Sequence, residues 1–130
     1  MDLQLTTKAQ EAFSAAARDA AASGHPNVEP AHLLLALTQQ TDTTTGPLLQ
    51  ATGSSASAAA DAARAALRSL PSTSGASVSP PALSRNALAV IEQARQAMES
   101  MGDAYVSTDH LLLALARTTA FGLDADAIAG

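Results

Sequence analysis

The sequence predicts an all-α fold built from two tandem copies of one helical repeat. Of the 130 residues, 47% are hydrophobic and only 2% aromatic, and alanine dominates the apolar set. Alanine has the highest helix propensity, so this composition favours helices. The segment His-Leu-Leu-Leu-Ala-Leu at residues 32–37 recurs unchanged at 110–115, 78 residues later. Flanking matches keep this register without a gap from Leu5 onwards, which indicates a duplicated helical unit.

The first predicted helix is amphipathic. Its apolar residues follow the i, i+3, i+4, i+7 spacing from Leu5 to Ala20, which places them on one face of a helix. Thr6 or Thr7 is expected as the N-cap, because a hydroxyl there can accept a hydrogen bond from a free backbone N–H. Gly24 is expected to end the helix.

Three further helices complete the first repeat. The second begins at Pro30, since proline at the first helical position loses no hydrogen bond, and runs to about Gln40. A short third helix is predicted over residues 46–51. The fourth opens at residues 54–55, where serine can cap it, and runs through Leu67, with Pro71 as the residue that stops it.

The second repeat follows the same pattern. Its first helix, the fifth of the chain, is capped by Ser84 and ended by Gly102, and the sixth starts at residues 107–109 with Ser107 as a possible cap. A short seventh helix is predicted over 121–128, and the counterpart of the fourth helix is missing, so the second repeat is truncated. The expected organisation is repeat one at about 1–71, a Ser- and Pro-rich linker at 72–81 and repeat two at about 82–130.

Charge and composition exclude several functions. The net charge is −5 and only seven residues are basic, so no basic stripe is available to bind nucleic acid. Apolar runs are far shorter than the roughly 20 residues that a membrane-spanning helix needs. Without cysteine or a basic, apolar leader, the sequence indicates a cytoplasmic protein with no disulfide or thiolate metal site.

No catalytic or metal site is predicted. The sequence lacks a phosphate-binding Gly-x-x-x-x-Gly-Lys loop, a Gly-x-Ser-x-Gly elbow and a His-Glu-x-x-His helix, and a small enzyme is therefore disfavoured. We expect His32 and His110 to cap or pack within their own repeats, and we assign no metal role to them or to His25. Asp124 and Asp126 lack the ligand pattern of a calcium loop.

Three motifs carry a family resemblance. They are Leu-Thr-x-Lys-Ala at 5–9, Gly-His-Pro-x-Val-x-Pro-x-His-Leu-Leu-Leu-Ala-Leu at 24–37 and Gly-Asp-x-Tyr-Val-Ser-Thr-Asp-His-Leu-Leu-Leu-Ala-Leu at 102–115. The pattern resembles the Clp N-terminal repeat domain, and its spacing and Leu-Pro-Ser linker entry are similar to those of ClpB-type AAA+ disaggregases. The resemblance implies a pseudo-twofold pair of repeats with about four helices each.

The resemblance also implies a function. Domains of this family dock unfolded or aggregated polypeptide in an apolar groove and precede AAA+ ATPase rings, which assemble as hexamers and use ATP and Mg. This segment is then a non-catalytic binding domain that needs no cofactor and is monomeric in isolation. The alternative is an adaptor-binding domain of a ClpC- or ClpA-type protease regulator, or a stand-alone Clp-repeat protein.

Two sets of residues are predicted to form the docking site. The apolar spacing suggests an exposed seam that can hold hydrophobic segments weakly, with candidates Leu5, Phe13, Leu88, Ile91 and Tyr105. Phe13 and Ile91 also lie on the helical stripe that should face the core. The resemblance adds polar residues near the groove by position, namely Thr6, Asp103 and Asp109. Each of these three also suits a helix-cap or loop role that only stabilises the fold.

Overall fold

The computed structural model describes residues 4–40, 42–70 and 81–118. In these ranges the chain forms helices joined by short loops and two very short strands, which confirms the all-α prediction. No helix in these ranges has the length and apolar character needed to cross a membrane. The elements are α1 Thr7–Ala22, β1 Asn27–Val28, α2 Pro30–Gln39, α3 Thr45–Ala51, α4 Ala56–Arg68, β2 Ala82–Leu83, α5 Arg85–Ser100 and α6 Thr108–Thr118.

Three helices begin at the hydroxyl caps that the sequence predicted. The side-chain oxygen of Thr6 accepts a hydrogen bond from the N–H three residues later at 3.2 Å, and those of Ser55 and Ser84 each do so at 3.0 Å. The predicted ends of α1 and α5 are also confirmed. Gly24 and Gly102 follow them at φ 71° and φ 74°, a region in which a side chain would be strained.

The remaining helices match their predicted positions to within about a residue, the usual uncertainty of helix ends. α2 starts at Pro30 as expected, and α3 starts at Thr45, one residue before the predicted range. The predicted seventh helix over 121–128 lies outside the described residues, as do Pro71 and residues 72–80 of the predicted linker. The linker boundary therefore stays a prediction.

The two short strands were not predicted from the sequence. β1 pairs in parallel with β2, so that Val28 faces Leu83, and a separate parallel bridge joins Leu5 to Val106. The offset of 78 residues relates Leu5 to Leu83 and Val28 to Val106. The two pairings are therefore equivalent, and each joins the start of one repeat to the loop of the other. This is expected of two units related by a twofold axis.

Backbone hydrogen bonds show the same reciprocity. The N–H of Thr6 donates to the carbonyl oxygen of Val106 at 3.0 Å, and the N–H of Ser84 donates to that of Val28 at 3.1 Å. Thr6 and Ser84 are themselves 78 residues apart and cap α1 and α5. Each bond therefore links the first turn of one long helix to the loop of the opposite repeat.

The core is built around α2 and α6. A helix that is hydrophobic on all sides is usually buried, and eight consecutive residues of α2, Pro30 to Leu37, are buried here. α1 and α5 use mainly alanines on their inner faces, which lets their backbones come close to the leucine-rich helices. The fully buried leucines of the core are Leu34, Leu37, Leu49, Leu111, Leu112 and Leu115.

The core predicts a matched pair of destabilising substitutions. Leu34 and Leu112 are equivalent in the two repeats and both are fully buried. We expect Leu34→Ala and Leu112→Ala each to lower the free energy of unfolding by about 2–5 kcal/mol, because each leaves a cavity. Urea denaturation followed by far-UV circular dichroism measures this. Leu88→Ala is the control, since Leu88 is half exposed, and its effect should stay within about 0.5 kcal/mol.

Candidate functional site

An apolar groove lies where the two repeats meet. Its volume is about 390 Å³, it lies between α1 and α5, and each of the two short strands contributes one residue to its lining. The side chains that line it are all apolar and come from both repeats. They are Leu5, Phe13, Ala17, Val28, Pro81, Leu83 and Ile91.

The lining of the groove follows the internal symmetry. Leu5 and Leu83 are equivalent positions of the two repeats, and so are Phe13 and Ile91. Because the backbone hydrogen bonds tie the start of each long helix to the loop of the opposite repeat, these two pairs line the same groove. Leu83 is 37% exposed and Leu5, Phe13 and Ile91 are partly buried, so they hold the groove open while presenting apolar surface.

The symmetry fails at one wall. Ala17 lines the groove, whereas its equivalent in α5 is Arg95, which forms ion pairs with Glu92 and Glu99 on the same helix. The hydrogen bond from Arg95 lowers the pKa of the Glu92 carboxyl, and the Glu92 carboxylate in turn raises the pKa of the Arg95 guanidinium. These ion pairs offset the positive charge of Arg95 within α5.

The structure brings together three of the five predicted apolar residues. Leu5, Phe13 and Ile91 line the groove, whereas Leu88 is 53% exposed and Tyr105 is 51% exposed outside its lining. The sequence prediction did not include Ala17, Val28, Pro81 or Leu83. The internal repeat was the signal that could have revealed Leu83, because Leu83 is the equivalent of Leu5.

The three predicted polar residues make local contacts and do not line the groove. Thr6 caps α1. Asp103 Oδ2 lies 2.8 Å from His110 Nε2, and Asp109 Oδ1 accepts a hydrogen bond from the hydroxyl of Thr44. Each side chain therefore has a role in the fold, and a docking role for any of them stays a prediction.

The equivalent histidines act as helix caps, as the sequence predicted. His32 Nδ1 accepts the N–H of Glu29 at 2.8 Å, and His110 Nδ1 accepts the N–H of Ser107 at 2.9 Å. Both rings are buried. Because Nδ1 of His110 is an acceptor, its proton is on Nε2 and is donated to Asp103.

Within the ranges that the structure describes, no three potential ligands lie close enough to hold a metal ion. Asp124 and Asp126 lie outside those ranges.

Comparison with known proteins identifies this architecture. A model of the Clp repeat N-terminal domain family matches residues 4–124. The chain belongs to this Clp repeat family. The resemblance found in the three sequence motifs is thereby confirmed, and the groove between α1 and α5 is a feature of a Clp repeat domain.

The relatives include ClpB chaperones. The chaperone protein ClpB of Propionibacterium freudenreichii subsp. shermanii is 43% identical over 113 residues, which cover 87% of this chain and 13% of that protein. ClpB of Mycobacterium leprae is 44% identical over 111 residues, which cover 85% of this chain and again 13% of the relative. The chain therefore corresponds to a small part of those proteins.

A solved structure shares the fold. The Hsp104 N-terminal domain of Candida albicans superposes with a TM-score of 0.80 at 22% identity, over 97% of this chain and 87% of that one. At this identity the similarity shows the fold alone. It places the chain in the same architecture as N-terminal domains of the Hsp104 type.

The Asp103–His110 contact predicts a stability effect. Replacing Asp103 with alanine removes the acceptor of a buried imidazole N–H, which should lower the free energy of unfolding by about 1 kcal/mol. The value is at the low end because the Asp103 carboxylate is half exposed to solvent. Urea denaturation at pH 7 measures the loss. Asp109→Ala, which removes an exposed hydrogen bond and a carboxylate in the first turn of α6, should cost less than Asp103→Ala. Equal losses would contradict a specific role of the histidine contact.

Proposed function

We propose that this Clp repeat domain docks apolar segments of unfolded or aggregated polypeptide in the groove between α1 and α5. The observation that carries the proposal is an open groove of about 390 Å³ whose lining is entirely apolar. Binding clefts for small ligands are typically of about 300–1,000 Å³. The groove is therefore large enough for a few side chains of a client.

The chemistry of the lining favours loose selection among clients. A pocket that recognises one ligand usually combines apolar walls with a few placed polar groups, and the seven lining side chains supply no such group. Binding then depends on apolar area rather than on a specific sequence. Weak, sequence-tolerant docking suits a domain that must release its client to a second site, because tight binding would slow the release.

The twofold arrangement adds a second property. The pair Leu5 and Leu83 and the pair Phe13 and Ile91 offer similar apolar contacts to a segment that approaches from either end of the groove. An extended client therefore finds comparable contacts in both chain directions. This suits substrates that have no common sequence.

The relatives support a place in a larger machine. Because the matching residues cover 13% of the ClpB relatives, we propose that this domain belongs to a ClpB-type disaggregase. In such a protein, AAA+ rings in the same chain form a hexamer and bind ATP and Mg, while this domain is non-catalytic and needs no cofactor. A cytoplasmic location is part of the same proposal.

A peptide complex of a related fold supports docking of polypeptide segments. The ClpV N-domain has been solved in complex with a VipB peptide, and it superposes on this chain with a TM-score of 0.76 at 18% identity, over 95% of this chain and 81% of that one. An adaptor-binding domain of a ClpC- or ClpA-type regulator, or a stand-alone Clp-repeat protein, is the alternative. The half-exposed Leu88 and Tyr105, which lie outside the groove, are the surface that a folded adaptor would contact.

The docking proposal predicts where an unfolded client binds. In a two-dimensional NMR titration with an unfolded casein, we expect the amide shifts to cluster at the groove, around Leu5, Phe13, Val28, Leu83 and Ile91. Absence of shifts at a high client concentration would overturn direct docking and favour the adaptor alternative.

A pair of charged substitutions locates the site on α5 and the strand before it. Leu83→Asp should weaken casein binding about tenfold, equivalent to about 1.4 kcal/mol, because it places a carboxylate in an apolar groove. Leu83 is 37% exposed, so the domain should remain folded. Leu88→Asp is the matched control, since Leu88 is exposed outside the lining, and its effect should be less than about threefold. Equal losses would instead place docking on the exposed face of α5, where the sequence had suggested Leu88.

A further inference from the structure

The first repeat contains a buried pair of histidines whose direct contact the groove does not require. His25, in the loop of residues 23–29 between α1 and α2, is 8% exposed, and His32 is 1% exposed. Nδ1 of His25 lies 2.8 Å from Nε2 of His32. The hydrogen bond between two buried imidazoles forms only when one ring nitrogen carries a proton and the facing nitrogen does not.

The neighbouring hydrogen bond determines both tautomers. Nδ1 of His32 accepts the backbone N–H of Glu29 at 2.8 Å and therefore carries no proton. The proton of the neutral ring is on Nε2 and is donated to Nδ1 of His25. Three of the four ring nitrogens thus take part in two hydrogen bonds, and both bonds require the rings to be neutral.

A further proton disrupts this arrangement at either ring. On Nδ1 of His32, it would point at the N–H of Glu29, and the hydrogen bond between them would be lost. On Nδ1 of His25, it would point at the Nε2–H of His32, and the two rings would separate. In both cases the added charge is buried without an acceptor, which is costly in a protein interior.

The surroundings oppose protonation on balance. Burial and the neighbouring His25 lower the pKa of His32, while the Glu29 and Asp19 carboxylates act in the opposite direction with smaller effect. Beside His25, a small cavity of about 80 Å³ is lined by Pro26, Asn27, Glu29 and, from the residues after α4, Leu70. Glu29 is the carboxylate nearest to both rings along the chain.

The second repeat shows how the same position is built to tolerate a proton. The equivalent of His25 is Asp103, which accepts the Nε2–H of His110 at 2.8 Å. The hydroxyl oxygen of Ser107 lies 3.1 Å from Nδ1 of His110 and can accept a second ring N–H. A proton on Nδ1 of His110 would also cost the hydrogen bond from the N–H of Ser107, but the Ser107 hydroxyl oxygen can accept it and the Nε2–H keeps its carboxylate acceptor.

The histidine contact holds a loop that matters to the fold. The N–H of His25 donates to the carbonyl of Ala20 at the end of α1, at 2.9 Å. Three residues later, Val28 forms β1, receives the N–H of Ser84 and lies in the wall of the groove. When the two rings separate, the loop between these anchor points loses its buried side-chain contact.

We propose that the His25–His32 pair is a proton-sensitive latch, which holds the loop of residues 23–29 closed at neutral pH and releases it as the pH falls below about 6.5, the ordinary titration range of histidine. The repeat that carries Asp103 lacks this response. The proposal concerns the loop itself and does not depend on what the groove binds.

The direction of the effect follows from proton linkage. Because the folded state lowers the pKa of His32, the unfolded chain binds a proton more readily than the folded one. The stabilising contribution of the latch is therefore complete above the unfolded pKa of about 6.5 and is lost as the pH falls from there. Acidification below about pH 6.5 therefore destabilises the closed conformation of the loop of residues 23–29.

Amide hydrogen exchange on the 130-residue chain tests the latch. Protection factors, which divide out the intrinsic pH dependence of exchange, are measured at pH 7.5 and 5.5. We expect protection at the amides of residues 24, 25, 27 and 28 to fall at least tenfold, while core amides of α6 change less than threefold. Unchanged loop protection at pH 5.5, or an equal loss in the core, would overturn the proposal.

Reciprocal substitutions provide the matched controls. His25→Asp gives the first repeat the acceptor of the second, and its loop protection should differ less than threefold between the two pH values. Asp103→His should transfer the pH response to residues 102–106. A tenfold loss that persists in His25→Asp would refute the latch.

A measurement on the unaltered chain covers the case in which a variant fails to fold. The scalar coupling between Nε2 of His32 and Nδ1 of His25 across their hydrogen bond should be present at pH 7.5 and absent at pH 5.5. Its persistence at pH 5.5 would overturn the proposal. None of these readouts requires a client, so a failed casein titration and a failed latch are distinguishable.

Discussion

The reciprocal backbone pairing between the repeats is the contact on which the rest of the structure depends. The carbonyl oxygen of Val106 accepts a hydrogen bond from the N–H of Thr6, and that of Val28 accepts one from the N–H of Ser84. Both valines are buried, so these bonds are protected from water and cannot be exchanged for solvent without cost. They place α1 and α5 on the two sides of one groove. The groove exists because two amphipathic helices meet there with apolar side chains that the core does not fully cover.

The symmetry of this pairing allows the two repeats to differ without loss of the fold. Backbone bonds do not depend on side-chain identity, and Thr6 and Ser84 both supply a hydroxyl cap, so the two repeats are built alike at these positions. Side chains at equivalent positions have then diverged in chemistry. Ala17 of the first repeat corresponds to Arg95 of the second, and His25 corresponds to Asp103. One of these differences shapes a wall of the groove, and the other makes a single loop sensitive to protons.

The buried core and the apolar groove belong to different layers of the domain. The leucines of α2 and α6 are buried on all sides, and the inner alanines of α1 and α5 pack against them with little bulk. The side chains at the groove, such as Leu83, are only partly covered. A docking surface can therefore keep exposed apolar area, because the free energy of folding is supplied by the layer beneath it.

The sequence by itself determined the helices, their ends and the family. Caps such as Ser84, stops such as Gly102 and the buried run of α2 depend on contacts within a few residues or on helical spacing, and both can be seen in one stretch of chain. Only the tertiary structure decided which apolar residues share the groove. It placed Leu83 in the lining and left Leu88 outside it, although the two leucines are only five residues apart. Two-residue strands have no detectable period, and the pairing of distant segments is decided by packing between the repeats, which local spacing does not record.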